Sequence, residues 1–176
     1  MTTLQYTLRN AHPHEYTAIG KLMVKVYSQL EGFSTPEEQP KYYEKLANVG
    51  DFTQNSGVEL LVAVSADGQI GGAVVFFDDM QFYASGGKAT QEKNAAGFRL
   101  LAVDPDHRGH KLGKLLTKAC IQKAKEAKVN QLIIHSTNTM KVAWKMYENM
   151  GFQRFTDLDF MQGDIQVCGF RLLLKN

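Results

Sequence analysis

The chain has 176 residues, 44% of them hydrophobic, and its 20 basic and 18 acidic side chains leave a formal net charge of +2. This composition is typical of one globular domain, which we assign to residues 1–176, and it excludes a disordered chain and a strongly basic nucleic-acid binder. No apolar run reaches the ~18 residues of a membrane span. The start, "MTTLQYTLRN", has no signal-peptide character, so we expect a cytoplasmic protein.

The first part of the chain predicts one strand and two helices. Residues 5–10 alternate weakly between polar and apolar side chains, as a strand does. Apolar residues then recur at helical spacing over 13–30, with a proline at the first helical position. Thr35 and Glu38 fit a capping box, which predicts a second helix over 36–50.

Three strands are predicted next. The segment 58–79 contains two apolar runs joined at Asp67 and Gly68, which is a typical hairpin turn. The polar segment 80–96 is predicted to be irregular, and 97–104 (GFRLLAVD) is predicted as a further strand.

The last part of the chain predicts two helices and three strands. Residues 112–127 form an amphipathic helix, 131–136 (QLIIHS) an apolar strand, and 139–150 a helix that ends at Gly151. Residues 152–160 (FQRFTDLDF) and 165–174 (IQVCGFRLLL) are predicted as a final antiparallel pair of strands. The predicted apolar face of the first helix consists of Leu112, Leu115, Leu116, Ala119, Cys120 and Ala127. The element order β-α-α-β-β-β-α-β-α-β-β is typical of a mixed sheet with helices on both faces.

The stretch "HRGHKLGKLL", residues 107–116, lies where the strand over 97–104 gives way to a helix. Amides at a helix N-terminus are unpaired and carry partial positive charge, so they stabilise an anion, above all a phosphate. Arg108, Lys111 and Lys114 add charge there, and glycines let the backbone approach a ligand. A solvated turn before a charged helix is the alternative, whereas a P-loop is excluded because the glycine spacing is one residue short.

A second motif, "NTMKVAWKMYENMGF", covers residues 138–152. It places Ala143 and Tyr147 one helical turn apart on one face, followed by Gly151 and Phe152. By itself, Tyr147 is more typical of a packed core aromatic than of a catalytic residue.

Together the two motifs resemble the GNAT superfamily of acyl-CoA-dependent N-acyltransferases. "LLAVDPDHRGHKLGKLL" is similar to its cofactor signature R-x-x-G-x-[GA] after a strand, and "AWKMYENMGF" to its later A-x-x-x-Y-x-x-x-G-F segment. The element order is similar too, so the resemblance covers nearly the whole chain. It implies an α/β (mixed α+β), GNAT-like fold, with a central mixed, mostly antiparallel sheet of about seven strands and four helices on both faces.

The resemblance also implies a site for acetyl-CoA as co-substrate. The pyrophosphate would lie on the amides of Gly109 to Lys114, the pantetheine arm would pair with the strand edge at Leu101 to Val103, and an amide near Leu101 would polarise the thioester carbonyl. Tyr147 would be the general acid that protonates the leaving thiolate. The predicted cofactor-binding residues are Leu101, Ala102, Val103, Arg108, Gly109, His110, Lys111, Leu112, Gly113, Lys114 and Asn138.

The chain departs from the family pattern at three positions. Lys111 replaces the middle glycine of the signature, although its amide remains available. The family's asparagine three residues before Ala143 is Met140 here, and Asn138 is the candidate that replaces it. Some members have a glutamate base where this chain has Gly97, so the general base is unassigned. The candidates are Glu59, Asp78, Asp79, Glu92, His135 and Asp159.

No metal is expected, because neither of the two closely spaced histidine pairs has a cysteine or carboxylate cluster beside it. Cys120 and Cys168 do not make a disulfide framework in a chain of this length, and we expect two buried thiols.

These observations predict an acetyl-CoA-dependent N-acetyltransferase that acetylates a primary amine by direct attack in a ternary complex. The acceptor is a small-molecule amine or a protein amine, and the sequence does not select between them. No nucleic-acid or membrane partner is expected, and many members of the superfamily are homodimers. A non-catalytic acyl-CoA sensor or a degenerate subunit of a complex is the alternative.

Overall fold

The structure is a computed structural model, and it describes residues 5–175. Within them the strands are β1 (Tyr6–Asn10), β2 (Val58–Ser65), β3 (Ile70–Phe77), β4 (Ala95–Val103), β5 (Gln131–Ser136), β6 (Gln153–Arg154), β7 (Phe160–Gln162) and β8 (Ile165–Leu173). The α-helices are α1 (Tyr16–Ser28), α2 (Pro40–Ala47), α3 (Leu112–Glu126) and α4 (Lys141–Asn149).

The strands form a sheet of order β1-β2-β3-β4-β5-β8-β6, and β7 pairs with β8. β4 and β5 are parallel, whereas β1 with β2, β5 with β8, β6 with β8 and β7 with β8 are antiparallel. The expected mixed α+β class, the mostly antiparallel sheet and the four helices are confirmed. The described residues contain eight strands rather than about seven.

The chain divides into two compact units, and neither is a continuous segment. Among the described residues, unit 1 comprises 5–75 and 100–119, and unit 2 comprises 76–99 and 120–175. The assignment of residues 1–176 to a single domain stays a prediction, and residues 1–4 and 176 lie outside the described part of the chain.

In unit 1, the helix expected from residue 13 begins three residues later. Pro13–Glu15 form a separate 3-10 turn before α1. The Glu15 carboxylate accepts two hydrogen bonds from Arg9, at 2.7 and 3.0 Å, and one from the His12 amide at 2.8 Å. These partners, Arg9 first, lower the Glu15 pKa to about 2. The ionised side chain therefore closes a tight turn where a longer helix was predicted.

The second helix of unit 1 also begins later than its capping box predicts. The box forms, since the Glu38 amide donates to the Thr35 hydroxyl at 3.2 Å, but it closes an isolated turn. α2 begins at Pro40, because proline disfavours helical geometry in the preceding residue, and Gln39 has φ −134° and ψ 63°. The helix ends at Ala47, short of the predicted residue 50.

The hairpin prediction in unit 1 is confirmed. The Ser65 amide donates to the Gln69 carbonyl at 2.8 Å, and the Gly68 amide donates to the Ser65 carbonyl at 2.9 Å. This turn through Asp67 and Gly68 joins β2 to β3.

In unit 2, the antiparallel pairing predicted for 152–160 with 165–174 is confirmed, but 152–160 is not one continuous strand. A 3-10 turn, Thr156–Leu158, separates β6 from β7. The Asp159 carboxylate accepts from Arg154 at 2.7 and 2.8 Å and from the Gly169 amide at 2.8 Å, which bends the chain back onto β8. A Cβ at Gly169 would lie 2.2 Å from the Cβ of Leu158, so this close approach requires glycine.

The apolar face predicted for the helix over 112–127 is confirmed in part. In α3 the side chains of Leu112, Leu116 and Cys120 are buried, whereas Leu115 is 39% exposed and Ala119 is half-buried. Ala127 is exposed and lies just after the end of α3 at Glu126. α4 begins at Lys141 rather than 139, and Gly151 after it has the left-handed φ of +100° expected of a C-terminal cap. None of the helices in residues 5–175 is both long and apolar enough to cross a bilayer.

Candidate active site

The C-terminal half of β4, in unit 1, contains a strained residue. Leu100 has φ +59°, a left-handed backbone that leucine rarely adopts, and its side chain is buried. Such a residue costs of order 1–2 kcal/mol and persists only where surrounding contacts hold it. Strained positions are frequent at functional sites, and this one directly precedes the predicted strand edge at Leu101.

The backbone groups of Leu101 and Val103 point away from β3. The Asp104 amide donates to the Gly71 carbonyl of β3 at 2.9 Å. Because successive residues of a strand direct their hydrogen-bonding groups to opposite sides, those of Ala102 also face β3 and those of Leu101 and Val103 face the other way. We call Leu101, Ala102 and Val103, where the arm of the co-substrate is predicted to pair, the cofactor edge. In unit 2 the parallel pairing of β4 with β5 ends at Gly97.

The segment between β4 and α3 is anchored within unit 1. Asp104 caps a 3-10 turn, Pro105–His107, by accepting from the Asp106 amide at 2.9 Å. His107 is buried, and its Nδ1 lies 2.7 Å from the hydroxyl oxygen of Tyr6 in β1. This contact holds the residues that lead into the start of α3.

Burial alone would raise the pKa of Asp104, but the hydrogen bond from the Asp106 amide and the Lys25 ammonium 3.3 Å away outweigh it and lower that pKa. Asp104 therefore stays ionised in its capping role near neutral pH.

The start of α3 presents a row of backbone amides. Gly109 has φ +87° and Lys111 has φ +60°, and α3 begins at the next residue, Leu112. The first helical hydrogen bond runs from the Leu115 amide to the Lys111 carbonyl at 3.0 Å. Within residues 5–175, the backbone amides from Gly109 to Lys114 have no hydrogen-bond acceptor. Unpaired amides at a helix start form a site for an anion.

The side chains around these amides fit a phosphate ligand. Arg108, Lys111 and Lys114 are exposed cations, and a Cβ at Gly109 would meet no atom within 4 Å, so the approach is open. The side chain of Leu112 is 1% exposed, so this predicted site residue is able to contribute only its amide. The structure thus brings the predicted phosphate-binding residues and the cofactor edge into unit 1.

Tyr147 lies in unit 2, on α4, and its side chain is 5% exposed. Its ring packs edge-to-face against Phe98 and Phe152, with centroid distances of 6.0 and 5.6 Å. Burial, and then the neighbouring Cys120 and Tyr83, raise the pKa of the hydroxyl. Tyr147 is therefore fully protonated at neutral pH. Asn138 is exposed, in the turn before α4.

A hydrogen-bonded pair in unit 2, Tyr83 and His135, is not predicted by the sequence. The Tyr83 hydroxyl lies 2.9 Å from Nδ1 of His135, and Nε2 of His135 lies 2.9 Å from the Leu158 carbonyl oxygen. Since that carbonyl only accepts, Nε2 carries the proton and Nδ1 accepts from Tyr83. Burial lowers the His135 pKa to about 4, so the imidazole is neutral. Tyr83 and His135 are 52 residues apart and belong to no common motif, so the sequence gives no local signal for this pair.

The other candidates for the general base make structural contacts. Asp159 pairs with Arg154, and Glu92 pairs with Arg171 at 2.8 Å. Asp79 caps a 3-10 turn through the Gln81 amide at 2.9 Å, and Glu59 accepts from the side chain of Asn10 at 3.0 Å. Both nitrogens of His135 are engaged as well. The general base stays unassigned.

The cysteines are buried free thiols, as expected. Among the described residues, no group of three or more histidine, cysteine, aspartate or glutamate side chains is placed to hold a metal ion.

Comparison with known proteins decides the family. The sequence matches the acetyltransferase (GNAT) family over residues 22–152, about three quarters of the chain. The chain belongs to this family. Its members are acetyltransferases that use acetyl-CoA as acyl donor, and the matched region of this GNAT domain contains both predicted motifs. No curated protein matches the chain.

Solved structures share the fold. An acetyltransferase of the GNAT family from Staphylococcus aureus Mu50 has a TM-score of 0.74 at 18% identity, covering 97% of this chain and 100% of its own. A GCN5-related N-acetyltransferase from Kribbella flavida has a TM-score of 0.70 at 19% identity, with 98% of each chain covered. yncA of Salmonella typhimurium, assigned as an acetyltransferase and solved with its cofactor acetyl-CoA, has a TM-score of 0.65 at 15% identity. The match covers 98% of this chain and 95% of yncA. These likenesses confirm that this GNAT domain has the family fold.

Proposed function

We propose that this GNAT domain transfers an acetyl group from acetyl-CoA to a primary amine by direct attack in a ternary complex. One observation carries the proposal: unit 1 contains both the strained residue Leu100 in β4 and, after β4 and a 3-10 turn, the row of unpaired amides from Gly109 to Lys114. The row of amides suits a pyrophosphate, and the strained strand suits an acyl arm that pairs with a strand edge.

The phosphate-binding residues would act through backbone and charge together. The amides of Gly109 to Lys114 would donate to the pyrophosphate oxygens, and Arg108 and Lys114 would add positive charge beside them. Lys111 has φ +60°, so its backbone adopts the conformation that favours glycine, and its amide remains in the row. The substitution of the signature glycine by Lys111 therefore preserves the backbone while adding a cation.

The cofactor edge would hold the arm of the co-substrate as an added strand. Leu101 and Val103 direct backbone groups away from β3, and an amide near Leu101 would polarise the thioester carbonyl. Acetyl-CoA supplies an activated acetyl group as a thioester, so the acceptor nitrogen needs neither a metal nor a covalent enzyme intermediate. Cys120 is 0% exposed, which supports this route over one through a cysteine nucleophile.

Tyr147 would act as the general acid. The coenzyme A thiolate that leaves is basic, and a proton donor would assist its departure. The raised pKa of Tyr147 keeps its hydroxyl protonated, so a proton is available at neutral and alkaline pH. Transfer of that proton to the sulfur as the carbon–sulfur bond breaks would release coenzyme A as the free thiol. The attacking nitrogen would lose one proton to water to give the neutral amide, and a proton from water would restore the Tyr147 hydroxyl.

A panel of amines scored by coenzyme A release tests this function. Polyamines, aminoglycosides, amino acids and a peptide with a free N-terminus represent the small-molecule and protein acceptors. We expect at least one class to release coenzyme A well above the rate without amine. Tyr147→Phe in the same assay shows whether the release depends on the proposed acid.

A non-catalytic acyl-CoA sensor is the second candidate function, and one observation favours it. His135 and four of the carboxylates proposed as general bases already make structural hydrogen bonds or ion pairs. Tight acetyl-CoA binding with no turnover on the whole amine panel is the result that would select the sensor.

A further inference from the structure

We propose that Tyr27 is a positioning residue for the cofactor edge, because its hydroxyl holds the Leu101 carbonyl and so maintains the strained backbone at Leu100. The role in cofactor binding rests on the proposed function, whereas the positioning itself depends on unit 1 alone.

The contact joins α1 to β4. Tyr27 is 8% exposed, and its hydroxyl donates to the carbonyl oxygen of Leu101 at 3.2 Å. The two residues are 74 positions apart in the chain. The Leu101 carbonyl points away from β3, so neighbouring β3 does not satisfy it, and Tyr27 supplies a partner on that side.

The direction of the Tyr27 hydroxyl is set by its ring contacts. The ring centroid lies 5.7 Å from that of Phe33 and 6.4 Å from that of Tyr42, and Phe33 and Tyr42 lie 5.7 Å from each other. A tyrosine side chain has two torsions, and packing of the ring restricts both. The hydroxyl therefore meets Leu101 as part of a rigid aromatic cluster rather than as a mobile group.

The strain at Leu100 explains what this contact does. A buried leucine leaves a left-handed backbone unless its surroundings hold it there. The bond from Tyr27 fixes the peptide group immediately after Leu101, which limits the rotations by which Leu100 would relax. An extended ligand that pairs with the cofactor edge would then meet backbone groups already in position, and preorganisation of this kind raises affinity.

Tyr43 offers a matched control. It is 5% exposed, lies in unit 1, and its hydroxyl donates to the backbone carbonyl of Ser34 at 2.6 Å. Its ring also packs against that of Tyr42, with a centroid distance of 5.9 Å. Tyr43→Phe therefore removes the same kind of bond beside the same aromatic cluster, but from the Ser34 carbonyl rather than from the Leu101 carbonyl of β4.

The experiment compares Tyr27→Phe with Tyr43→Phe. The backbone ¹⁵N resonance of Ala102, whose amide shares a peptide group with the Leu101 carbonyl, and hydrogen exchange over 100–103 report on the free protein. Calorimetric titration gives the affinity for acetyl-CoA. We expect Tyr27→Phe to shift the Ala102 resonance, speed exchange and weaken acetyl-CoA binding about five- to tenfold, with less than about twofold weakening in Tyr43→Phe. Both variants should lower the melting temperature.

Each outcome decides a different part of the proposal. Unchanged resonance and exchange in Tyr27→Phe would overturn the positioning role, whatever the affinity does. If Tyr27→Phe alters the backbone signals but binds acetyl-CoA as tightly as Tyr43→Phe, the positioning by Tyr27 has no role in cofactor binding. A wild-type protein that does not bind acetyl-CoA would instead overturn the proposed function, and the resonance and exchange data would still judge the positioning. Should Tyr27→Phe fold poorly, Phe33→Leu loosens the same ring without removing the hydroxyl, and the same comparisons apply.

Discussion

Gly109 and Lys111, two residues apart, both have left-handed backbones, with φ of +87° and +60°, and α3 begins immediately after Lys111. Glycine adopts this conformation without a steric cost, whereas the Cβ of a lysine contacts the backbone and destabilises it. The chain thus keeps the backbone of a glycine at position 111 while carrying a cationic side chain.

The first prediction separates the backbone of Lys111 from its charge. Lys111→Gly and Lys111→Ala both remove the ammonium, but only the alanine retains a Cβ at φ +60°. We expect the glycine variant to be more stable than the alanine variant by about 1 kcal/mol, measured by urea unfolding. Equal loss of acetyl-CoA affinity in both would show that the ammonium contacts the cofactor. An alanine variant as stable as the glycine variant would contradict a left-handed backbone at this position.

The second prediction concerns the cofactor and the fold. Since acetyl-CoA would bind the folded start of α3 and not the unfolded chain, it should stabilise the protein by mass action. At ~100 times its dissociation constant the gain is about 2.7 kcal/mol. Melting curves with and without acetyl-CoA measure it, with free pantetheine, which lacks the pyrophosphate, as the control. An unchanged melting temperature at millimolar acetyl-CoA would rule out the proposed site.

The third prediction compares charge with backbone access at the phosphate-binding residues. Arg108→Ala should weaken acetyl-CoA binding by removing one exposed cation. Gly113→Val should weaken it more, because a branched side chain within the first turn of α3 obstructs the approach to the amides. Calorimetric titration measures both affinities, and the melting temperature shows whether each variant is folded. A folded Gly113→Val variant with wild-type affinity would place the pyrophosphate elsewhere.

The fourth prediction tests Tyr147 as the general acid. Tyr147→Phe retains the ring contacts with Phe98 and Phe152 but loses the proton, and loss of general-acid help lowers kcat about 10²–10⁴-fold. Acetyl-CoA affinity should change little. Because the pKa of Tyr147 is raised, ionisation of this residue should not lower the wild-type kcat below about pH 10.

The measurement for Tyr147 is kcat at saturating acetyl-CoA, with the melting temperature beside it. A Tyr147→Phe variant within about threefold of the wild-type kcat, with chemistry rate-limiting, would leave Tyr147 as a core aromatic.

The fifth prediction follows from His135. Its pKa is about 4 in the folded protein, below the ordinary value of about 6.5. Between these values the unfolded chain binds a proton that the folded protein does not, so the free energy of unfolding falls as the pH drops from about 6.5 to 4. The loss is on the order of 3 kcal/mol.

His135→Gln checks this pH dependence, because a glutamine amide does not titrate but is able to donate to Leu158 and accept from Tyr83. Melting temperatures from pH 7.5 to 4 should fall less steeply for His135→Gln than for the wild type. Parallel slopes for His135→Gln and the wild type would show that His135 is not buried as a neutral imidazole.

The elements of the fold were determined largely by local sequence. The apolar periods of α1 and α3, the Asp67–Gly68 turn and the cap at Gly151 depend on neighbours within a few residues, and the structure contains all of them. Local signals failed where two of them competed. The capping box at Thr35 formed, but Pro40 moved the start of α2, and the interactions of Asp159 divided a predicted strand.

The sequence by itself also determined the family, because its two motifs occupy fixed positions within short segments of the chain. Only the tertiary structure decided how those segments are held. Three contacts join residues that are 52 to 101 positions apart: Tyr27 with Leu101, Tyr6 with His107, and Tyr83 with His135. The left-handed φ of Leu100 also depends on the contacts that surround it. No periodicity or spacing encodes these contacts, since each exists only because the packed sheet brings distant backbone and side-chain groups within hydrogen-bonding distance.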